Sequence, residues 1–385
     1  MTAGAGGAAP RTVLLVHSSA GAYGADRQLA LIAGGLDPGR YRAVVVLATD
    51  GPLAGELRAA GVETRVAPVA VLRRGELTPG GLSRLAWRLA ATSGLGRGRD
   101  LALVHSNTSV TLSGALAARR AGVPHLWHVR EIYTERAWPA YRRLLGTAAA
   151  LACVSAAVRD QFPAGDPRAR VLADGLALPG GDAGPAGPGL PDGRPKGPAA
   201  GAPLACLVLG RMSSWKGQDV LLRALARVPG AVAVVAGDAW PGQEHYEHGL
   251  RRLAGELGLA ERVRFTGFVT DPRALYAAAD VVVVPSTRPD PLPNAALEAA
   301  AAGCCVVASR HGGLPEIVRD GVTGLLVAPG DPVALGAALR RIDADRELGR
   351  RLGAAAAADV RVRFAPGRLL AGVQDLYDEL VRAPG

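Results

Sequence analysis

Short apolar runs, too brief for helices, recur along this chain with stretches of helical Leu and Ala spacing between them, and this alternation restricts the fold more than any other feature. In the first half the runs are residues 13–16, 43–47, 101–104 and 149–154. In the second half they are residues 205–209, 231–236, 263–266, 281–284 and 305–308. A run of this length without polar alternation predicts a strand buried on both faces, as in parallel sheets covered by helices. Strands alternating with helices predict an α/β architecture, twice over.

Between the two sets the chain turns Gly/Pro-rich over residues 179–203, which suits neither a helix nor a central strand and predicts an interdomain linker. The expected organisation is therefore a domain at 11–178, the linker at 179–203 and a second domain at 204–365. At 385 residues the chain is long enough for two cores. A closing segment, 366–385, carries Leu369, Leu370, Val373, Leu376, Tyr377 and Leu380 at helical spacing.

The net charge of +10 is unevenly placed. Residues 1–178 hold 21 arginines against 12 acidic residues, a net of +9, whereas residues 179–385 hold 23 basic against 22 acidic, a net of +1. A basic first half suits an anionic partner such as a phospholipid surface or an acidic acceptor; it equally suits a solvated arginine-rich surface. Leu82, Leu85 and Leu89 with Arg84, Arg88, Arg97 and Arg99 outline a basic amphipathic helix that could lie on a membrane or pack on the sheet. With 4% aromatic residues and no basic helix of the DNA-reading kind or zinc pattern, nucleic acid is not an expected partner. Cys153, Cys206, Cys304 and Cys305 fit no metal spacing and read as reduced core thiols. Residues 1–10 lack the charged and leucine-rich regions of a signal peptide, and the longest apolar stretch, 144–158, is too short to span a bilayer. The expected location is the cytoplasm, with any membrane contact peripheral, at the inner face.

Two segments of the second half carry the chemistry. Gly210-Arg211-Met-Ser-Ser-Trp-Lys216-Gly217 follows a predicted strand and precedes a helix over about 218–227. Two cations beside unpaired helix-end N–H groups make an anion site, and Lys216 is one of only two lysines in the chain. The spacing is not that of a Walker loop, so ATP hydrolysis is not indicated. Asp290-Pro-Leu-Pro-Asn-Ala-Ala-Leu-Glu298 places two carboxylates across a strand–loop–helix junction, where open α/β sheets bind ligands. Carboxylates there can accept hydrogen bonds from sugar or ribose hydroxyls. The helix should run over 294–302 and stop at Gly303.

The first half contributes less. Gly21 and Gly24 lie in a turn between the first strand and a helix, where backbone could approach a phosphate or simply turn. His128 follows the strand-like residues 124–126 and suits either a site or the core. His245 and His248 could share a helix face, but no third metal ligand is evident. Glu316, just after Pro315, suits a helix N-terminus.

Taken in order, GRMSSWKGQDVLLRAL, VVAGD, RVRFTGFVTD, LYAAADVVVVPS, DPLPNAALEAAAAGCCVVAS and HGGLPEIVRDGVTGLLVAPGD resemble glycosyltransferase family 4, retaining enzymes of the GT-B fold. The resemblance spans the whole second domain. It implies two doubly wound Rossmann-like domains facing across a cleft, with segment 366–385 returning to the first. It also implies transfer of a hexose-type sugar from a UDP- or GDP-linked donor, with retention, to an acceptor sugar, lipid-linked glycan or small molecule. Neither a metal nor any cofactor beyond the nucleotide-sugar co-substrate is implied. By position, Arg211 and Lys216 would bind the donor's pyrophosphate, Glu298 its ribose, and Val269 its base. Leu292, Pro293 and Asn294 form the donor loop, although Pro293 supplies no N–H. Gly24 would lie over the donor phosphates, and His128 would face the cleft near the anomeric carbon. Asp290 stands where the family's first Glu sits, one methylene shorter, beside the transferred sugar. Two alternatives share the architecture: a sugar-nucleotide 2-epimerase and a non-catalytic nucleotide-sugar binding subunit.

Overall fold

The computed structural model describes residues 9–382 apart from 22, 73–75, 77, 177–201 and 241. Nearly all of the expected linker, 179–203, and most of the leader lie outside the described residues. The chain divides into two units, Met1–Ala177 with Pro366–Gly385, and Leu178–Ala365.

In the first unit the apolar runs become a seven-stranded parallel sheet. Its strands are β1 (Arg11–His17), β2 (Tyr41–Leu47), β3 (Glu63–Val66), β4 (Leu101–Ser106), β5 (His125–Val129), β6 (Ala150–Cys153) and β7 (Ala169–Val171). They lie in the order β3-β2-β1-β4-β5-β6-β7. The edge strands β3 and β7 have partly exposed, mixed sequences, which is why no apolar run announces them. Helix Pro366–Arg382 packs in this unit: Leu369, Val373, Leu376, Tyr377 and Leu380 join the core built by β1, β2 and helix Gly24–Gly35. Polar contacts fix its far end, with Asp378 accepting from Arg40 at 2.6 Å and from the Tyr41 hydroxyl.

The second unit has six parallel strands, β8 (Ala205–Leu209), β9 (Val232–Ala236), β10 (Val263–Gly267), β11 (Val281–Val284), β12 (Cys305–Ser309) and β13 (Leu325–Val327). Their order is β10-β9-β8-β11-β12-β13. Strand β11 is valine throughout and buried throughout, each side chain contributing about 1.5 kcal/mol or more by leaving water. Both sheets reverse direction of growth beside their first strand, between β1 and β4 and between β8 and β11. A crevice opens beyond the carboxyl ends of the strands at such a reversal, because successive connections leave to opposite faces.

The four cysteines are free and buried, and burial pushes the thiols of Cys153, Cys206 and Cys305 up to about 12. Among the described residues no helix is long and apolar enough to cross a membrane. Helix Pro79–Ala91 buries Leu85 and exposes Leu82 and Trp87, but Arg84 and Arg88 both pair with Glu76, and Arg99 pairs with Glu63 at 2.5 Å. Three of the four arginines in the expected basic face therefore already have carboxylate partners.

Candidate functional site

At the reversal of the second sheet, loops leaving β8, β11 and β12 close on one another. Gly217 ends the first loop at φ +73°, and a Cβ there would meet the Pro285 carbonyl at 1.9 Å, so only glycine lets the loop approach β11. The Thr287 N–H donates to Trp215 O at 2.8 Å, locking the two loops together. From β12, Gly313 N–H donates to Asp290 O at 2.8 Å, and a Cβ on Gly312 (φ +59°) would strike the same carbonyl at 2.4 Å. His311 Nε2 bonds the Ser286 carbonyl at 2.7 Å.

These loops bring Lys216 and Asp290 together. Lys216 Nζ donates to Asp290 Oδ2 at 2.6 Å, and Ser286 Oγ is 3.5 Å from the same oxygen. The Asp290 side chain is 7% exposed and that of Lys216 23%, so the carboxylate is fixed while the ammonium keeps an outward face. The Lys216 ammonium also lies 4.2 Å from the Trp215 ring centroid. The sequence places both residues near one ligand; their direct pairing is visible only in the fold.

Arg211 follows β8, and its guanidinium carbon lies 3.6 Å from the centroid of Trp240, with Asp238 Oδ1 3.7 Å from Nη1. The loop after β9 that carries Asp238 and Trp240 is stitched to the β8 loop: Gly210 N–H donates to Ala236 O and Met212 N–H to Asp238 O, at 2.9 and 2.8 Å. Gly237 N–H donates in turn to Gly267 O at 2.7 Å, bringing in the loop after β10 with Phe268 and half-buried Val269.

Glu298 sits one turn into helix Asn294–Ala301 and is 6% exposed. Its Oε2 accepts from the Tyr276 hydroxyl at 3.0 Å. Leu292 and Pro293 are buried, Asn294 half-buried, and Pro293 is the residue preceding the helix. Gly303, at φ +76°, follows the helix end as the sequence predicts.

In the first unit Gly24 opens helix Gly24–Gly35. The loop before it is pinned by Asp26, which accepts from Ser19 Oγ at 2.6 Å and from Tyr23 N–H at 3.0 Å and bonds His17 Nε2 at 2.8 Å. Burial would raise the Asp26 pKa, but these bonds and the neighbouring His17 outweigh it and hold the carboxyl below its ordinary value.

His128 is where the structure departs most from expectation. Instead of facing an open site it lies in β5, fully buried and stacked on His105 with ring centroids 5.4 Å apart. Burial, reinforced by the nearby Arg130 charge, pushes its pKa well below the ordinary value and keeps the ring neutral. The residues after β5 carry other polar groups that sequence reading missed. Arg130 pairs with Asp174 at 2.5 Å, and Ser109 Oγ bonds both Glu131 and the Tyr133 hydroxyl.

His245 and His248 lie exposed on helix Glu244–Glu256, and among the described residues no group of three or more His, Cys, Asp and Glu is placed to hold a metal. Glu316 occupies the first turn of the short helix Leu314–Ile317, with Pro315 at its start. Sequence reading also overlooked Tyr276, His311, Asp238 and Trp240. Of these, Asp238, Tyr276 and His311 lie within the motifs VVAGD, LYAAADVVVVPS and HGGLPEIVRDGVTGLLVAPGD, whereas Trp240 had no local signal.

Comparison with known proteins bears on the family and the fold. A family model described as "Glycosyl transferases group 1" matches residues 192–359, and one described as "Glycosyl transferase 4-like domain" matches residues 23–175. A lipopolysaccharide core biosynthesis glycosyltransferase, LpsE of Rhizobium meliloti, is 40% identical over 153 residues, 40% of this chain and 43% of that protein. A D-inositol 3-phosphate glycosyltransferase of Streptomyces griseus is 43% identical over 166 residues, 40% of this chain and 35% of that protein. The chain thus matches less than half the length of these relatives. Over its whole length it is similar to the crystal structure of Anabaena Alr3699/HepE in complex with UDP, with 26% identity, a TM-score of 0.77 and coverage of 96% of this chain and 100% of that one. The same protein solved with UDP-glucose gives 25% identity and a TM-score of 0.78, with 96% and 100% covered. Both sheets are thus those of the GT-B fold.

Proposed function

The chain belongs to the group 1 glycosyltransferases, and we propose that it transfers a hexose-type sugar from a nucleoside diphosphate donor to an acceptor, with retention of anomeric configuration. The observation that carries this reading is the assembly at the β8/β11 reversal. There, two cations, Arg211 and Lys216, sit before a helix while two fixed carboxylates, Asp290 and Glu298, sit on the facing loop and helix. Uridine diphosphate is the favoured nucleotide, because the similar Anabaena protein was crystallised with UDP and UDP-glucose.

In this reading Arg211 and Lys216 neutralise the charge that builds on the departing diphosphate, in a partly buried site where such contacts are strong. Glu298, oriented by Tyr276, accepts from the ribose hydroxyls. Val269 faces the base with its backbone, and the segment Leu292, Pro293 and Asn294 borders the donor. Asp290 acts on the sugar side. Held by Lys216, it stands as a fixed negative charge while positive charge grows on the anomeric carbon. His128, neutral and buried, is assigned no contact with the sugar.

The pair of cations supplies the charge that a divalent ion supplies elsewhere, so turnover is expected to persist in EDTA. Incubation with UDP- and GDP-sugars, with and without candidate acceptors, tests the reading. Acceptor-dependent diphosphate release that disappears in Lys216→Ala supports it. Epimerised donor without acceptor, binding without turnover, or activity in EDTA restored only by Mg²⁺ or Mn²⁺ each contradicts part of it.

A further inference from the structure

We infer that Trp240 is a positioning residue for the diphosphate: it acts through Arg211, holding the guanidinium flat so that its N–H edge is presented to the phosphates. This rests on the donor-binding reading above. Trp240 itself is 51% exposed, an unusual state for a tryptophan with no packing role in the core. Its ring lies against Arg211, whose guanidinium carbon is 3.6 Å from the ring centroid, whereas the Arg211 side chain is only 14% exposed. The ring thus covers one face of the guanidinium and excludes water from it, while the donors of a planar fork point along the plane of the ring stack.

The backbone makes this contact a built one. Gly210 and Met212 on the Arg211 loop are hydrogen-bonded to Ala236 and Asp238 on the Trp240 loop. Gly237 approaches so closely that a Cβ on it would lie 2.1 Å from the Gly210 carbonyl. The two side chains are therefore carried on one rigid platform. Asp238 completes the arrangement: at 3.7 Å from Nη1 and with its side chain 46% exposed, it balances the guanidinium charge loosely enough for a diphosphate, carrying more charge, to take over that edge.

A ring stacked under a cation lowers the freedom the side chain must lose on binding and weakens its competing hydration. Its removal should cost about tenfold in diphosphate affinity. The test is calorimetric titration with UDP and with uridine, and with GDP and guanosine in parallel, on wild type, Trp240→Ala, Trp240→Phe, Arg211→Ala and the double variant Arg211→Ala/Trp240→Ala. Trp240→Ala is expected to weaken the diphosphate about tenfold and leave the nucleoside unchanged, Trp240→Phe to recover most of the loss, and Trp240→Ala to have no further effect once Arg211 is gone. Equal weakening of nucleoside and diphosphate would mean that Trp240 touches the base, and additive effects in the double variant would mean that it acts without Arg211. Either result overturns the inference. If wild type binds neither UDP nor GDP, the donor-binding reading itself fails and takes this inference with it. An intact melting temperature in Trp240→Ala separates all of these from misfolding.

Discussion

Replacing Asp290 by Asn separates the two duties of the Lys216–Asp290 pair. The substitution keeps the shape of the side chain and removes its charge, leaving the Lys216 ammonium beside a neutral amide. Breaking a fully buried pair by removing one partner costs about 3–5 kcal/mol. Here the Lys216 side chain retains 23% of its exposure and can be hydrated on that side, so the cost falls to about 2 kcal/mol. For a unit of this size that corresponds to a fall in melting temperature of about 4–8 °C. A diphosphate should reverse the effect. At about 100 times its Kd a ligand adds about 2.7 kcal/mol to either protein, and the variant's Lys216 no longer shares its charge with a carboxylate. Nucleotide affinity in Asp290→Asn should therefore equal or exceed that of wild type, while turnover falls about 100-fold or more as the sugar-side charge is lost. Differential scanning fluorimetry with and without UDP, calorimetric titration and initial-rate measurement with the active donor together read all three quantities. Tenfold weaker UDP binding, or unchanged turnover, would refute the division of roles between the two side chains.

Removing the Tyr276 hydroxyl in Tyr276→Phe takes the 3.0 Å donor from Glu298 and should weaken nucleotide binding about three- to tenfold at nearly unchanged turnover under saturation, as seen in KM against kcat. Gly313→Ala puts a Cβ 2.0 Å from the Pro291 carbonyl, so the Asp290 loop must shift; transfer should fall at least tenfold while circular dichroism reports an intact fold. The first unit should be sensitive to acid. Burial pushes His105 and His125 down to about 3, below their unfolded value of about 6.5, so the unfolded chain binds protons first as pH falls. Stability from these two rings is fully present above about pH 6.5 and declines by about 1.4 kcal/mol per pH unit for each ring down to about pH 3. Urea unfolding at pH 7.5, 6 and 5 should show that slope, and His125→Asn should reduce it.

β13, three residues long, was too short to be foretold, but the apolar runs marked nine of the strands in outline and residues 124–126 a tenth, because a strand buried on both faces must be apolar at every position, and that requirement is local. The edge strands β3 and β7 escaped for the converse reason: half of their surface meets water, so Glu63 and Arg170 are as acceptable there as valine. The segments bearing Arg211, Lys216, Asp290 and Glu298 were legible as well, since each is a charge placed near a strand end or a helix start, and those positions are visible in the order of residues. Partnership was not. Lys216 and Asp290 stand 74 positions apart and meet because β8 and β11 are neighbours in the sheet, while Tyr276 and Glu298, 22 apart, lie on the helices before and after β11. His128 shows the limit most plainly. Its neighbours in sequence are compatible with a mouth or a core, and only the pleat of β5, which turns its ring onto His105, decides for the core. Residue type and local period thus determined where chemistry could reside; which side chains pair, and which are shut away from it, was decided by the packing of segments remote along the chain.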